Sequence, residues 1–248
     1  MSSNNFDTPW FYEEKIDINN PTIFEFNKEN IHHCKKVLRI NKNSKILIFD
    51  GCGNTKTANI SFNGKGVTFN NIKFSKHNKR KFNFSIVQSL CEVNKLELVI
   101  QKVTELGCEK LFLANSIYSK KFDLTFLEKK LPRWKKIMGS ACAQSKNPFL
   151  PEIFFNSHNE ICEKYQKNSE FKLICLDPYS PEIEFSNIRK YKEKNIIIFI
   201  GPEGGYSKEE IMLFEKYNLE KININKYILR TETASIVGAF LAQILCNN

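Results

Sequence analysis

An unbroken apolar run, Ile196-Ile197-Ile198-Phe199-Ile200, meets the turn Gly201-Pro202-Glu203-Gly204-Gly205, and this junction narrows the choice of fold more than any other stretch. β-Branched and aromatic residues without polar alternation read as a strand buried on both faces, as in a parallel sheet covered by helices. Ser207 with Glu210 three residues later fits a capping box, so the spacing predicts a helix there that turns Ile211 and Phe214 inward. Strand, glycine turn and helix start form a corner where a ligand can approach bare backbone. Most such turns only return the chain, so the corner alone is weak evidence of a site. A second stretch, Tyr227-Ile228-Leu229-Arg230-Thr231-Glu232-Thr233-Ala234, adds a cation, an acid and hydroxyls just before a helix of small residues: Ala234, Ser235, Gly238, Ala239 and Ala242. Small side chains at that spacing admit another backbone at close range, either within the domain or at a subunit interface beside a site.

Length and charge restrict the remaining choices. At 248 residues the chain has room for one large domain or two modest ones. No apolar run approaches the roughly 20 residues of a membrane span, and the first residues lack the basic and apolar regions of a signal peptide, so a cytoplasmic protein is expected. A formal net charge of +10 favours a polyanionic partner, although the abundance of Lys, Asn, Ile and Phe also fits an AT-rich genome. The eight cysteines contain no Cys-x-x-Cys pair, which argues for free, mostly buried thiols and against a metal site.

Along the chain, residues 22–26, 45–49, 57–62 and 66–69 read as strands, with turn signals at Asp50-Gly51 and Asn63-Gly64 and a short helix over 28–38. Short strands before any long helix suggest a small β-barrel over 1–74. The basic run 75–81 reads as a linker, and 82–248 as a second domain. In that domain strands over 82–90, 110–114, 171–177 and 195–201 alternate with helices over 94–106 and 126–142, which argues a mostly parallel sheet. Ligands in such sheets sit beyond the carboxyl ends of strands. Leu176-Asp177-Pro178 and Gly201-Pro202-Glu203 are two such ends, and Ile228-Leu229-Arg230 is expected as the third.

Several ordered elements carry a resemblance to a known family. They are His33 to Arg39 with its Val37-Leu38-Arg39 end, Phe49-Asp50-Gly51-Cys52-Gly53, the helix from Leu98 to Gly107, Arg133-Trp134 to Gln144-Ser145, and the two C-terminal stretches. Together they resemble the RsmE family of ribosomal RNA uridine-N3 methyltransferases in the knotted SPOUT superfamily. The resemblance implies an N-terminal PUA-like, RNA-binding β-barrel and a C-terminal α/β methyltransferase domain with a trefoil knot. It also implies a homodimer, S-adenosylmethionine as cofactor, and small-subunit (16S) ribosomal RNA as partner.

On that resemblance Leu176, Ile224, Ile228 and Leu229 wall an adenine, and Gly201, Pro202, Glu203, Gly204, Gly205 and Asn225 complete the cofactor set. Deprotonation of uracil N3 spreads negative charge onto two carbonyl oxygens, and Arg230 is expected to stabilise it. Glu232 either orients that arginine or accepts the proton, and Glu203 touches either cofactor or uracil. His33 and Arg39 are expected on RNA, as are Gln101 and Lys102 on the polar face of their helix. The chain departs from the family in three places. Asn225 stands where glycine is common, a residue that tolerates a left-handed backbone. Tyr118-Ser119 replaces Arg-Ser, and the run after Gln144-Ser145 lacks the usual arginines. Two other readings are a non-catalytic ribosome-assembly factor with this fold, and a SPOUT enzyme acting on another RNA.

Overall fold

Ile46 and Ile48 alternate with Leu47 and Phe49 along β2 (Ser44–Phe49), and all four are buried, so this strand has a core on each face. The protein is seen in a computed structural model that describes residues 8–20, 23–40, 43–63, 66–182, 191 and 194–247. β2 pairs in parallel with β1 (Trp10–Tyr12) and antiparallel with β3 (Asn54–Asn63), which pairs antiparallel with β4 (Gly66–Lys76). One face packs Ile46, Ile48, Ala58 and Ile60 with Phe11, Phe24 and Cys34. On the other, Leu47 and Phe49 pack with Cys142, Ala143 and Leu150. Residues 139–150 accordingly belong to the same compact unit as residues 1–79.

The Phe-Asp-Gly-Cys-Gly element seats that returning segment. Asp50 accepts hydrogen bonds from the backbone N–H of Cys52 (2.7 Å) and of Asn54 (3.1 Å). Gly51 and Gly53 take φ of +79° and +94°. A Cβ on Gly53 would lie 2.5 Å from the Phe149 ring, so only glycine fits both the backbone and the contact.

Two expectations for this unit need correction. Thr22 lies outside the described residues, and 23–26 form no strand although Phe24 and Phe26 reach the core. The Ile23 carbonyl accepts instead from the Lys56 ammonium (2.7 Å). The helix over 28–38 is α1 (Lys28–His32), capped by Asn27, and it widens into a π-helical turn over His33–Val37. Arg39 follows with φ +48°, the left-handed position that usually favours glycine, and the Ile40 N–H closes the end on the Cys34 carbonyl (3.1 Å).

The second unit, residues 80–138 and 151–248, holds a six-stranded, all-parallel sheet in the order β10-β8-β9-β5-β6-β7. The strands are β5 (Phe84–Ser89), β6 (Lys110–Ala114), β7 (Glu152–Phe155), β8 (Phe171–Leu176), β9 (Asn195–Ile200) and β10 (Glu220–Ile222). Its helices are α2 (Val93–Glu105), α3 (Leu124–Ser145), whose end belongs to the first unit, α4 (His158–Tyr165), α5 (Lys208–Lys216) and α6 (Thr231–Asn247). Along β9, Ile197 and Phe199 join the layer of α4 and α5 with Ile161, Cys162 and Phe214. Ile198 and Ile200 face α6. Ser207 and Glu210 form the expected capping box at the start of α5.

No strand ends at 228–230. The third strand is β10, and residues 223–230 lead from it to α6 without regular structure. β1, β7 and β10 have 3, 4 and 3 residues and are too short for periodicity to reveal. The threading expected of the C-terminus depends on the path of 183–190, which lies outside the described residues.

Lys56 is fully buried on β3, with Nζ 3.0 Å from both Glu25 carboxylate oxygens and bonded to the carbonyls of Asn20 and Ile23. Glu25→Ala leaves that ammonium without a counter-charge and should lower the stability of this unit by about 3 kcal/mol. Lys56→Met removes the donor from a partly solvated carboxylate and from the Asn20 and Ile23 carbonyls but buries no unpaired charge, and should cost about 1–2 kcal/mol. Amide hydrogen exchange of β2 to β4 measures both, and equal losses would contradict the assignment.

Candidate active site

The carboxyl ends of three neighbouring strands, β10, β8 and β9, open onto one cavity of about 600 Å³. Leu176 to Tyr179 line it after β8, residues 200–206 after β9, and residues 222–225 with 227–231 after β10. Leu176, Gly201, Pro202, Glu203, Gly204, Gly205, Ile224, Asn225, Ile228, Leu229 and Arg230, residues that the sequence singles out, therefore share one surface. Glu232 is not among the lining residues. His33 and Arg39 are exposed in the N-terminal unit. Gln101 and Lys102 are half-buried on α2, where Lys102 pairs with Glu105 (2.8 Å).

The floor and the rim differ in character. Leu176, Ile200, Ile222, Ile224 and Leu229 make an apolar bed, while Tyr179, Tyr227 and Ile228 are largely exposed at the edge. Glycine supplies the third wall. The Gly205 N–H closes a turn on the Pro202 carbonyl (2.9 Å), and Gly205 takes φ +72°. A Cβ on Gly204 would lie 2.9 Å from Cβ of Tyr118, so the 203–205 backbone is pressed against the segment after β6. A flat heterocycle with polar edges fits between the apolar bed and this exposed backbone.

Asn225 keeps an ordinary φ; the left-handed residues other than glycine among those described are Arg39, Asn43, Asn71, Lys146 and Asn218. Side-chain bonds hold the turn instead. The Asn225 backbone N–H donates to Asn223 Oδ1 (3.1 Å), and the Asn225 side-chain amide donates to the Tyr227 carbonyl (2.9 Å). Asp177 likewise accepts from the Tyr179 N–H (3.1 Å) and the Ser180 hydroxyl (2.7 Å).

Helix α6 is locked to the strand ends through buried polar groups. The Thr231 hydroxyl donates to the Gly201 carbonyl (2.7 Å) and accepts from the Gln88 amide (2.9 Å). The Ser235 hydroxyl reaches Gln88 Oε1 and the Thr231 carbonyl. Ser235, Gly238, Ala239 and Ala242 are buried in their own unit, so the small-residue face serves packing within the chain. A Cβ on Gly238 would meet Leu176 at 3.0 Å and Ile200 at 3.2 Å. Gln88 was open to detection as the one long polar side chain in the strand Phe84–Ser89, since a buried polar group is the informative exception.

Charge is distributed unevenly around the site. Arg230 is exposed, and its guanidinium has no hydrogen-bond or ion-pair partner among the described residues. Glu203 pairs with Lys95 of α2 at 2.9 Å. Burial pushes the Glu203 carboxyl up, but the bond from Lys95, a bond from its own backbone N–H and the charges of Lys95 and Lys120 together outweigh it and leave the group below its usual range. Glu232 has one carboxylate oxygen buried without a hydrogen-bond partner, and Lys95 feels its charge together with those of Glu203 and Glu92.

Behind the glycine corner, Glu210 is buried and accepts from the Ser116 hydroxyl (2.6 Å), the Ile117 N–H (3.3 Å) and the Ser207 N–H (2.9 Å). His158 Nδ1 lies 3.4 Å away. Burial pushes this carboxyl up, but the hydrogen bonds from His158, Ser116 and the Ser207 backbone prevail and hold it at about 2.

Comparison with known proteins gives a consistent result. Residues 78–243 match the family described as RNA methyltransferase domain, and 26–69 match the RNA methyltransferase PUA domain. The ribosomal RNA small subunit methyltransferase E of Buchnera aphidicola subsp. Acyrthosiphon pisum is 30% identical over 245 residues, 95% of this chain and 92% of its own length. Its namesake from Mesomycoplasma hyopneumoniae is 31% identical over 167 residues, 66% of this chain and 70% of its own. A crystal structure of that enzyme from Neisseria gonorrhoeae, bound to S-adenosyl methionine, superposes with a TM-score of 0.79 at 25% identity, covering 96% of this chain and 98% of that one.

The low pKa of Glu210 sets an acid limit on the corner. The folded value lies below the ordinary 4.5, so this carboxylate stabilises the native state above about pH 5 and the contribution fades as pH falls towards 2. The span corresponds to about 3 kcal/mol. Urea denaturation across that range should show the loss, and Glu210→Gln should flatten it while lowering stability at neutral pH. An unchanged acid profile in the variant would contradict this role.

Proposed function

Since this chain belongs to the RsmE family of ribosomal RNA small subunit methyltransferases, a SPOUT-type fold with a PUA-like N-terminal unit, we propose that it transfers a methyl group from S-adenosylmethionine to N3 of a uridine in small-subunit ribosomal RNA. The observation that carries the proposal is the unpaired Arg230 guanidinium at the edge of a cavity built from three strand ends and a glycine corner. Two other cations of the unit are spent on carboxylates, Arg133 on Glu97 and Lys95 on Glu203.

Leu176, Ile224 and Leu229 would hold the adenine, and the 201–205 backbone would face its polar edges and the rest of the cofactor. When bound, S-adenosylmethionine supplies a methyl group already made electrophilic by the sulfonium. The protein's task is then to place uracil N3 in line with it and to favour its anion. Arg230 stabilises the negative charge that develops on the uracil carbonyl oxygens as N3 loses its proton. Thr231, bonded to Gly201 and Gln88, positions Arg230 by fixing the backbone beside it. Glu203, which lines the cavity, and Glu232, in the first turn of α6, are the carboxylates assigned to receive the proton or to orient the arginine.

The N-terminal unit takes the RNA contacts assigned to His33 and Arg39, and α2 those of Gln101 and Lys102. Exposed Leu98, Val237 and Phe240 on α2 and α6 support a homodimer. No helix among the described residues is long and apolar enough to cross a membrane; the proposed ribosomal RNA substrate is what supports a cytoplasmic location.

Purified protein incubated with small ribosomal subunits or their naked RNA and methyl-labelled S-adenosylmethionine should yield labelled 3-methyluridine on nucleoside mass analysis; no label in either substrate would overturn the reading. Arg230→Ala should cut turnover about 100-fold while the calorimetric affinity for S-adenosylmethionine stays nearly constant. Equal losses of both would remove the arginine from its role.

A further inference from the structure

The turn after β6 projects two large apolar side chains into solvent, Ile117 (49% exposed) and Tyr118 (58%). A mobile loop would be the ordinary place for such residues, yet this turn is held from several sides. The Ser116 N–H donates to the Ser119 hydroxyl (2.9 Å), which returns a bond to the Ser116 carbonyl (2.9 Å). The Ser119 N–H bonds the same carbonyl (3.2 Å). Buried Glu210 takes both the Ser116 hydroxyl and the Ile117 N–H, tying the turn to the start of α5. Gly204, which lines the cavity, has room for no side chain because Cβ of Tyr118 sits against it.

A buried carboxylate and three hydrogen-bonded residues thus fix the backbone under an aromatic ring beside the cavity. The surroundings are basic. Lys120 and Lys121 follow directly and are exposed, and Lys120 lies close enough to Glu203 to help lower its pKa. A rigid, exposed aromatic beside cations is the recurring means of gripping a single-stranded nucleic acid, because every base offers a flat face to stack and every phosphate a charge to neutralise.

Resting on the function proposed above, we infer that Ser116 to Lys121 forms an RNA-strand platform in which the Tyr118 ring stacks on a base next to the target uridine while Lys120 and Lys121 meet its phosphates. Tyr118 is a substrate-positioning residue and takes no part in the transfer itself.

The platform is tested by fluorescence anisotropy of the full chain with a short labelled oligouridine, alongside calorimetry with S-adenosylmethionine and sedimentation of each variant. Tyr118→Ala should weaken oligouridine binding about tenfold, and Tyr118→Phe should bind like the parent, since stacking needs the ring alone. Cofactor affinity and oligomeric state should not move in either variant, which also shows that both are folded. Lys120→Ala should reduce the salt dependence of binding by about one ion. Oligouridine affinity within twofold of the parent in Tyr118→Ala would overturn the platform, and a shift towards monomer would assign Ile117 and Tyr118 to a contact between copies of this chain. Absence of methyl transfer with oligouridine binding intact and ring-dependent would instead tell against the reaction alone.

Discussion

The close seating of α6 on the sheet is the interaction on which the rest of the second unit depends. Gly238 lets the helix approach Leu176 and Ile200, and these are the last residues of β8 and β9. A larger residue there would lift the helix from the two strand ends that wall the cavity. The approach also buries Gln88, Thr231 and Ser235, whose polar groups have no water to turn to. They bond one another and the Gly201 carbonyl, and each left unpaired would cost about 1–3 kcal/mol. The network therefore specifies where α6 begins, and with it where Arg230 stands.

A second constraint acts from behind the glycine corner. Glu210 is part of the capping box that starts α5 and also holds the turn at 116–117, so one carboxylate joins two loops that meet at Gly204. Its low pKa follows from the number of donors around it rather than from a single strong partner. The contrast with Arg230 is instructive. Glu210 is fully engaged and does structural work, whereas Arg230 faces the cavity edge with its guanidinium available, which is what an approaching anion requires.

In the N-terminal unit, a motif shared with a family turns out to be a packing device. Asp50, Gly51 and Gly53 shape a turn that receives Phe149 and Leu150, residues almost one hundred positions away. The π-helical turn at His33–Val37 and the left-handed Arg39 expose Val37, Leu38 and the basic side chains around them. Shape at this tip comes from backbone geometry that no propensity scale reports.

Sequence by itself determined the parallel sheet, the glycine corner, the capping box at Ser207 and the residues that would gather at the strand ends, because each follows from local pattern: periodicity, turn chemistry and short-range hydrogen bonds. It also supplied the family through motifs in order. Tertiary structure alone decided that 223–230 run as a loop rather than a strand, that Asn225 works through its amide rather than a left-handed backbone, and that Glu232 leaves the cavity while Arg230 remains. It alone brought Gln88 to Thr231 and Glu210 to Ser116, pairs separated by 143 and 94 positions. Such pairings depend on how the chain packs upon itself, and burial, which makes them strong, is a property of the folded molecule that a one-dimensional pattern does not contain.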